Sequence, residues 1–343
     1  MPPSPSSSSS SSPSSGTRAT TRRALIVRNG MPILLRSEAL PTLHAGDALI
    51  EPLRAAVSAI DIERCRGFGH DGILGHQFAG VVRDVADAAD RAWIGTRVVG
   101  KPSTSCGRCE LCTRGLADHC RERTVLGMER RDGCFADRFT LPVKNLVALP
   151  ADVDDDHAVF ACDVAAAHQT IRQLTVSGKP YVTVLGDGPL GLITAQLMST
   201  LNASVRVIGR YSEKLALCEK WGVKQRHMDD IGRRADQDIV VECTGTPAGL
   251  ELALKLVRPR GVVVLKSIIT PTAPRHIDLS MLAMREISLV GSFGGSIADA
   301  VTTLRRLDVD VISLIGRRMR LDDGPAILEA ALEPGALKVV VDI

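Results

Sequence analysis

A glycine-rich turn between a buried strand and a helix constrains the fold of this chain more than any other feature. Residues 181–185 have the apolar, β-branched character of a buried strand, the letters G-D-G-P-L-G follow at 186–191, and a helical pattern begins there. Strands and helices are then predicted to alternate at residues 190–201, 205–208, 213–221, 239–241 and 262–265. Alternation at this spacing predicts a doubly wound parallel sheet, an α/β fold.

The first half of the chain follows a different pattern. From about residue 24 to residue 160, short β-like runs are separated by Gly, Pro and Asp, as at 24–27, 48–50, 80–82 and 97–99. The 343 residues are enough for two domains of about 100–200 residues each. The sequence therefore predicts a mostly β domain followed by the α/β domain.

The N-terminal 23 residues are predicted to be a disordered leader. Residues 2–16 are almost entirely Ser and Pro, which cannot bury enough apolar surface to offset the entropy of ordering. No acidic residue precedes Glu38, whereas arginine occurs at positions 18, 22, 23, 28 and 36. This composition is typical of an organelle transit peptide and equally of a solvated tail. We expect a cytoplasmic protein, or a plastid or mitochondrial one if the leader is a transit peptide.

Composition excludes several classes of function. A formal net charge of +3 without a basic stripe is too small for electrostatic binding of nucleic acid. Aromatic residues, at 3%, are too few for base-stacking platforms. No apolar run reaches the roughly 18 residues that a membrane span requires. The expected partner is a small molecule, with no nucleic acid and no membrane.

The glycines of the turn have separate physical roles. Gly186 permits the tight turn, Gly188 lets the backbone approach a pyrophosphate, and Gly191 lets helix and strand pack closely. The helix that begins near Pro189 or Leu190 offers free N–H groups and the positive end of its dipole to phosphates. This glycine fingerprint predicts a dinucleotide site, with a plain strand–helix turn as the alternative.

The end of the second strand of the α/β domain favours NADP(H) over NAD(H). An NAD site typically has an acidic residue there, which accepts hydrogen bonds from the ribose hydroxyls. This chain has Gly209 and Arg210 instead, and a guanidinium suits a 2′-phosphate. Ser212 and Lys214 are predicted to add further donors. The alternative is that Arg210 is solvated beside a site that accepts either cofactor.

Four of the nine cysteines lie within fifteen residues, which favours a metal in a reducing compartment over a disulfide framework. Their spacing of two, two and seven intervening residues predicts a closed, tetrahedral structural Zn²⁺ site in a lobe at about residues 100–125. The ligands would be Cys106, Cys109, Cys112 and Cys120. A ferredoxin-type iron–sulfur run would instead have three residues before the fourth cysteine and a proline after it.

Together with G-H-Q-F-A-G-V-V at 75–82, the cysteine quartet and the glycine fingerprint resemble the zinc-type alcohol dehydrogenases of the medium-chain dehydrogenase/reductase superfamily. The resemblance covers the whole chain after the leader. It implies a GroES-like β catalytic domain at 24–163, a Rossmann coenzyme domain at 164–292 and a chain return at 293–343 that completes the catalytic domain. It also implies that Thr244 lines the nicotinamide side of the cleft and that the chain forms a homodimer or homotetramer.

The residues at the family's catalytic positions depart from its pattern. In such enzymes a catalytic Zn²⁺ polarises the alcohol or carbonyl oxygen while hydride moves to or from the nicotinamide ring. The corresponding ligand positions hold Ser58 in place of a cysteine, then His76 and Cys162. Asp61 stands where relatives orient the ligand histidine, and Gln77 stands where they have glutamate. Because a neutral hydroxyl is a poor substitute for a thiolate on zinc, the resemblance implies an altered site.

Three hypotheses follow. The first is an NADP(H)-dependent alcohol dehydrogenase or aldehyde/ketone reductase whose catalytic zinc is held by His76, Cys162 and a third group. Cys65 is a candidate for that group, although packing is its expected role. The second is a zinc-free reductase of the same fold, in which Ser58 and His76 polarise a carbonyl or activated alkene by hydrogen bonds. The third is a non-catalytic NADPH-binding protein. Loss of a ligand cysteine favours the second and third, whereas retention of Asp61, His76 and Cys162 favours the first.

Overall fold

The computed structural model describes residues 20–65, 71–175, 178–232, 234–268 and 277–343, so most of the predicted leader lies outside the described residues. The first half is rich in short strands, as the sequence pattern predicts. They are β1 (Thr21–Arg28), β2 (Met31–Ala39), β3 (Asp47–Ala56), β4 (Gly72–Ile73), β5 (Gln77–Val85), β6 (Arg97–Gly100), β7 (Ser103–Thr104), β8 (Thr124–Leu126), β9 (Arg130–Arg131), β10 (Phe139–Pro142) and β11 (Leu146–Ala148). The helices among them are α1 (Ala59–Cys65), α2 (Glu110–Thr113) and α3 (Asp155–Ala158).

The second half alternates helices and strands, again as predicted. In chain order they are α4 (Ala161–Arg172), β12 (Tyr181–Leu185), α5 (Pro189–Ser199), β13 (Ser204–Gly209), α6 (Ser212–Lys220), β14 (Lys224–His227), β15 (Gln237–Glu242), α7 (Pro247–Leu256), β16 (Val257–Leu265), α8 (Ser280–Met284), β17 (Ser288–Gly291) and α9 (Ile297–Arg306). The chain ends with β18 (Ile315–Arg320), α10 (Ala326–Leu332) and β19 (Lys338–Asp342). Short 3-10 helices occur at Ala88–Trp93, Ala117–His119, Val143–Asn145, Met228–Asp230, Ile312–Leu314 and Leu321–Asp323.

Two large sheets organise the described residues. One is parallel, with the strand order β14-β13-β12-β15-β16-β17. The other has the order β11-β6-β5-β3-β19-β18, with β10 also paired to β3. In this sheet the last strand returns to an early one, since Val340 lies opposite Ala56 in an antiparallel ladder. In the parallel sheet the order reverses between β12 and β15, and ligands of such sheets bind outside the carboxyl ends of the strands at this point.

Helix α4 connects the two sheet systems. Its apolar side, which includes Val164 and Ala167, belongs to the core cluster that also covers one face of the parallel sheet. Its first turn carries Cys162 and Asp163 to the neighbourhood of β5 in the other sheet. The helix therefore brings side chains of the two halves together. Among the described residues, no helix has the length and apolar character needed to cross a membrane.

The first strand begins inside the segment that the sequence assigns to the leader. Strand β1 starts at Thr21, three residues before the predicted onset of order at Ala24. Arg22 is buried and donates to the backbone oxygen of Arg138 at 2.6 Å. Arg23 forms an ion pair with Asp137 at 2.7 Å. These two residues join the sheet through ion pairs and hydrogen bonds. Apolar periodicity does not detect such contacts, so the sequence predicts a later start of the strand.

Candidate active site and metal centre

The four clustered cysteines form a compact group with the dimensions of a zinc site. Their Sγ atoms all lie within 4.8 Å of one another, and four of the Sγ–Sγ distances are 3.5, 3.5, 3.7 and 3.9 Å. A tetrahedron of Zn–S bonds of about 2.3 Å requires Sγ–Sγ distances near ~3.8 Å. The backbone N–H groups of Cys106 and Cys109 donate to the sulfurs of Cys120 and Cys106, each at 3.4 Å, which stabilises thiolates. The quartet therefore fits a structural Zn²⁺.

The lobe that carries the cysteine quartet, at about residues 100–125, contacts the chain that leaves the parallel sheet. Within the lobe, Lys101 and Asp118 form an ion pair at 2.7 Å. The guanidinium of Arg123 lies 5.8 Å from the ring centre of Phe293, which follows β17. Gly294 has a φ of +72°, and a side chain there would approach the carboxylate of Asp118. The lobe thus packs against residues 293–294, which follow β17 at the carboxyl edge of the parallel sheet.

The glycine fingerprint has the geometry of a phosphate-binding turn. Gly186 has a φ of +119°, in the region that favours glycine. A Cβ atom on Gly191 would lie 2.2 Å from the carbonyl oxygen of Gly186, so only glycine permits this close packing of α5 on the turn. A Cβ atom on Gly188 would meet no atom within 4 Å, which leaves its backbone open to a ligand. Pro189 occupies the first turn of α5, where its missing N–H costs no hydrogen bond.

A carboxylate does lie at the end of β13, but it comes from the fingerprint rather than from the strand. Asp187 Oδ2 accepts hydrogen bonds from the backbone N–H groups of Arg210 and Tyr211 at 2.7 and 2.8 Å. A side chain on Gly209 would collide with this carboxylate. The side chain of Arg210 is exposed, whereas Lys214 is buried against the Tyr211 ring, with its Nζ 4.8 Å from the ring centre. Burial lowers the pKa of Lys214.

The turn after β15 is held by a buried carboxylate. Glu242 is fully buried and accepts hydrogen bonds from the backbone N–H of Thr244 at 2.6 Å and from the hydroxyls of Thr244 and Ser267. Thr246 caps α7 by accepting the N–H of Gly249 at 3.0 Å. Thr244 therefore has a fixed position at the carboxyl edge of the parallel sheet, beside the fingerprint.

Ser58 and Asp61 form a reciprocal cap at the start of α1. Asp61 Oδ2 accepts the backbone N–H of Ser58 at 2.8 Å and its hydroxyl at 2.7 Å, while the N–H of Asp61 lies 3.3 Å from Ser58 Oγ. Asp61 Oδ1 accepts the N–H of Gly75 at 3.0 Å. Asp61 thus holds the backbone next to His76, whereas the resemblance implies contact with the imidazole itself. The hydroxyl of Ser58 is thus already engaged as the donor of a hydrogen bond to Asp61.

His76 and Cys162 are brought together from different halves of the chain. The thiol of Cys162 points to the backbone oxygen of His76 at 3.7 Å. His76 is buried, and its Nδ1 has no hydrogen-bond partner among the residues that the structure describes. Burial lowers the pKa of His76 and raises that of Cys162 to about 12, so both side chains are neutral near pH 7. The orphaned ring nitrogen marks His76 as a group with unused hydrogen-bonding capacity.

These residues do not complete a catalytic zinc site. Catalytic zinc takes three protein ligands. In the described ranges the cysteine quartet is the only group of three or more His, Cys, Asp or Glu side chains close enough to hold a metal, so no such third residue joins His76 and Cys162. The thiol of Cys65 donates to the backbone oxygen of Asp61 at 3.4 Å, inside its own helix, as expected of a packing residue. Ser58 stands at the remaining ligand position of the family pattern, and its hydroxyl donates a hydrogen bond to Asp61.

A buried ionic network lies behind His76. The ammonium of Lys338 lies 2.7 Å from Asp163 Oδ2 and donates to Gln77 Oε1 at 2.9 Å. The amide of Gln77 in turn donates to Asp163 Oδ1 at 2.9 Å. All three residues are buried, at most 8% exposed. Asp163 thus places a carboxylate beside the amide of Gln77 and against a cation from the last strand.

Sequence reasoning passed over four charged residues near the site, namely Asp163, Asp187, Lys266 and Lys338. The sequence does mark each of them, because each is a charged residue inside or directly beside an apolar or glycine-rich motif. Asp187 lies inside the fingerprint, Lys266 ends the run V-V-V-L, and Lys338 begins the run V-V-V of the last strand. Their partners, however, are distant in sequence and become evident only in the folded chain.

Two family profiles match the chain on either side of α4. The alcohol dehydrogenase GroES-like domain matches residues 44–151, and the zinc-binding dehydrogenase domain matches residues 189–308. The chain belongs to the zinc-type alcohol dehydrogenase family of the medium-chain dehydrogenase/reductase superfamily. It is an NAD(P)-dependent oxidoreductase of the alcohol dehydrogenase type, with a GroES-like domain and a Rossmann domain.

Individual relatives agree with this assignment. L-threonine 3-dehydrogenase of Chelativorans sp. is 28% identical over 324 residues, which cover 88% of this chain and 93% of that protein. Sorbitol dehydrogenase of Halalkalibacterium halodurans is 25% identical, over 78% of this chain and 82% of its own length. A Sinorhizobium meliloti protein described as a zinc-binding dehydrogenase, solved with NADP bound, superposes with a TM-score of 0.85 at 25% identity and covers 94% of this chain and 99% of its own.

Proposed function

We propose that this enzyme transfers hydride between NADP(H) and a small alcohol or carbonyl compound, in a cleft that works without a catalytic zinc. The proposal rests on one observation: helix α4 contacts both the chain at His76 and the carboxyl edge of the parallel sheet. Its first turn places Cys162 against His76, and its Thr170 lies 3.4 Å, oxygen to oxygen, from Ser292 at the carboxyl end of β17. One helix therefore contacts both the chain at His76 and the sheet edge where a nicotinamide would bind, which supports a single site for the two.

The residues assign His76 the role of polarising the substrate oxygen. With the cofactor bound, hydride from C4 of the reduced ring would add to the carbonyl carbon, and the alkoxide held by the His76 N–H would take its proton from water. A neutral imidazole donates one N–H, and a buried donor aimed at that oxygen stabilises the negative charge that develops on it. Ser58 acts through Asp61, by fixing the backbone at Gly75, rather than by contacting the substrate.

Replacing His76 with alanine tests this assignment. We expect the zinc content to remain at one atom per chain, because the cysteine quartet alone holds the metal. Reduction of aldehydes and ketones should fall about a hundredfold, the typical cost of removing one donor to a developing oxyanion. Elemental analysis and steady-state kinetics with NADPH measure both quantities. Cys65→Ala is the matched control and should change neither. Two zinc atoms per chain that fall to one in His76→Ala would refute the zinc-free cleft.

The preference for NADP(H) rests on Arg210. Its guanidinium is exposed beside the end of β13 and has no carboxylate within ion-pair distance among the described residues, so it is free to bind a 2′-phosphate. The solved Sinorhizobium meliloti relative binds NADP. The alternative is NAD(H), which Asp187 favours because its carboxylate lies where ribose hydroxyls would need an acceptor.

Charge reversal at Arg210 separates the two cofactors. Arg210→Asp is expected to weaken NADPH binding by roughly tenfold to a hundredfold, since an attraction between the guanidinium and a phosphate becomes a repulsion. NADH binding should be unchanged or tighter. Calorimetric titration of both cofactors measures the effect, with Arg306→Asp on the exposed side of α9 as the control. Equal affinities of Arg210→Asp and the unaltered enzyme for NADPH would contradict the assignment.

The oligomeric state and the cellular compartment of the protein remain predictions. A homodimer or homotetramer is implied by the family. The edge strand β17 exposes Leu289, which supports self-association through this edge. A cytoplasmic location is expected, and an organelle would require that the Ser-rich N-terminal residues act as a transit peptide.

A further inference from the structure

A buried lysine lies at the carboxyl edge of the parallel sheet. Lys266 is the first residue after β16 and is 8% exposed. Its ammonium donates to the hydroxyl of Ser292 at 3.3 Å and lies 3.5 Å from the backbone oxygen of the same residue. Within the described ranges, no carboxylate lies at ion-pair distance from it. Since an unpaired buried cation is costly, such a group is a candidate for a functional role.

The position of Lys266 relative to the cofactor follows from the sheet topology. The fingerprint lies after β12, and the chain order reverses between β12 and β15. A dinucleotide bound there extends its adenosine half over β13 and its nicotinamide half over β15, β16 and β17. Thr244, Lys266 and Ser292 follow these last three strands in turn. Ser292 also contacts Thr170 of α4, the helix whose first turn carries Cys162. Lys266 therefore belongs to the nicotinamide half of the cleft.

We propose that Lys266 discriminates between the two redox states of the bound cofactor. The oxidised nicotinamide ring carries a positive charge, whereas the reduced ring is neutral. A fixed ammonium in a water-poor site repels the oxidised ring and leaves the reduced ring unaffected. The enzyme then takes up NADPH in preference to NADP⁺ and releases NADP⁺ readily, as suits carbonyl reduction. The inference rests on the proposed cofactor site.

The experiment compares the affinities for both redox states in the full-length, zinc-loaded enzyme. Calorimetry at pH 7 gives the ratio of the Kd for NADP⁺ to the Kd for NADPH. At an effective dielectric constant of ~20, a lysine within about 8 Å of the ring would repel its charge enough to change this ratio at least tenfold. Lys266→Met, which keeps the length of the side chain, should reduce the ratio by about that factor. Lys266→Arg, which keeps the charge, should preserve most of it.

The pH dependence provides a second readout. Burial lowers the pKa of Lys266 to about 8, so its charge is present below pH 8 and is lost above it. The ratio in the unaltered enzyme should therefore fall as the pH rises from 7 to 9, and the ratio in Lys266→Met should not. The titratable group that acts on it from the turn after β15 is the thiol of Cys243, whose pKa burial raises far above this range. Glu242, at the end of the same strand, is hydrogen-bonded to Thr244 and Ser267.

The outcomes separate the inference from the proposed function. An unchanged ratio in Lys266→Met, with both cofactor forms still bound, overturns the role of Lys266 and leaves the cofactor site intact. Equal weakening of both forms also overturns it, because the lysine would then bind a group common to the two, such as the pyrophosphate. If the unaltered enzyme binds neither NADPH nor NADP⁺, the proposed cofactor is wrong. A ratio that falls in Lys266→Met and persists in Lys266→Arg supports the inference.

Discussion

Replacing Cys109 with serine is expected to lower the zinc content from one atom per chain to nearly none. Four thiolates are needed to close the tetrahedral site, and the lobe offers few apolar contacts that could hold its shape instead. Loss of the metal should therefore unfold the lobe around residues 100–125, because binding of a structural zinc is coupled to local folding. Elemental analysis gives the metal content. Limited proteolysis with a protease specific for basic residues reports cleavage at the exposed Arg108 and Arg114.

A cysteine outside the lobe provides the control. Cys218 is fully buried on α6, far from the quartet in the sequence, and Cys218→Ala should retain the zinc and resist proteolysis in the lobe. If Cys109→Ser kept a full zinc complement, the quartet would not be the metal site.

Removing the cation of the buried network is expected to cost about 3–5 kcal/mol in the free energy of unfolding. Lys338→Met leaves the carboxylate of Asp163 buried, with the neutral amide of Gln77 as its remaining partner. A buried charge without a counter-ion is far more costly than the loss of the ion pair alone suggests. The change in the urea midpoint, measured on zinc-loaded protein, gives the magnitude.

The double variant and a surface pair make this prediction specific. Lys338→Met combined with Asp163→Asn should recover most of the loss, because no buried charge then remains. Arg305→Met removes an ion pair with Asp152 of similar length, 2.8 Å, in which both side chains are more than half exposed. It should change the midpoint little, since water screens such pairs. A midpoint for Lys338→Met equal to that of Arg305→Met would contradict the buried network.

The network also explains how the departure at Gln77 is accommodated. The sequence shows only that a carboxylate next to His76 has been lost. In the folded chain Asp163 of α4 places a carboxylate against the amide of Gln77 and against Lys338. A carboxylate thus lies beside Gln77 at the junction of the two sheets, although it belongs to a residue 86 positions further along the chain.

Local pattern was sufficient to predict the main elements of this protein. The strands before and after the fingerprint, the helix that follows it and the switch from a β-rich to an α/β rhythm all appear where the sequence indicates them. The reason is that burial on both faces of a parallel strand, a turn that needs glycine and closely spaced cysteine ligands all act over a few residues. The same locality explains why the sequence predicts the quartet, whose Sγ atoms all lie within 4.8 Å of one another.

Only the tertiary structure decided which groups remain available for chemistry. In the folded chain the hydroxyl of Ser58 donates a hydrogen bond to Asp61, Nδ1 of His76 has no partner among the described residues, and Lys266 is buried at the edge of the sheet. The tertiary structure also placed the carboxylate of Asp187 at the end of β13, where the sequence predicted none. These outcomes depend on contacts between segments that are distant along the chain. Sequence periodicity determines which face of an element is buried, whereas the partner of a buried polar group is determined by how the elements pack.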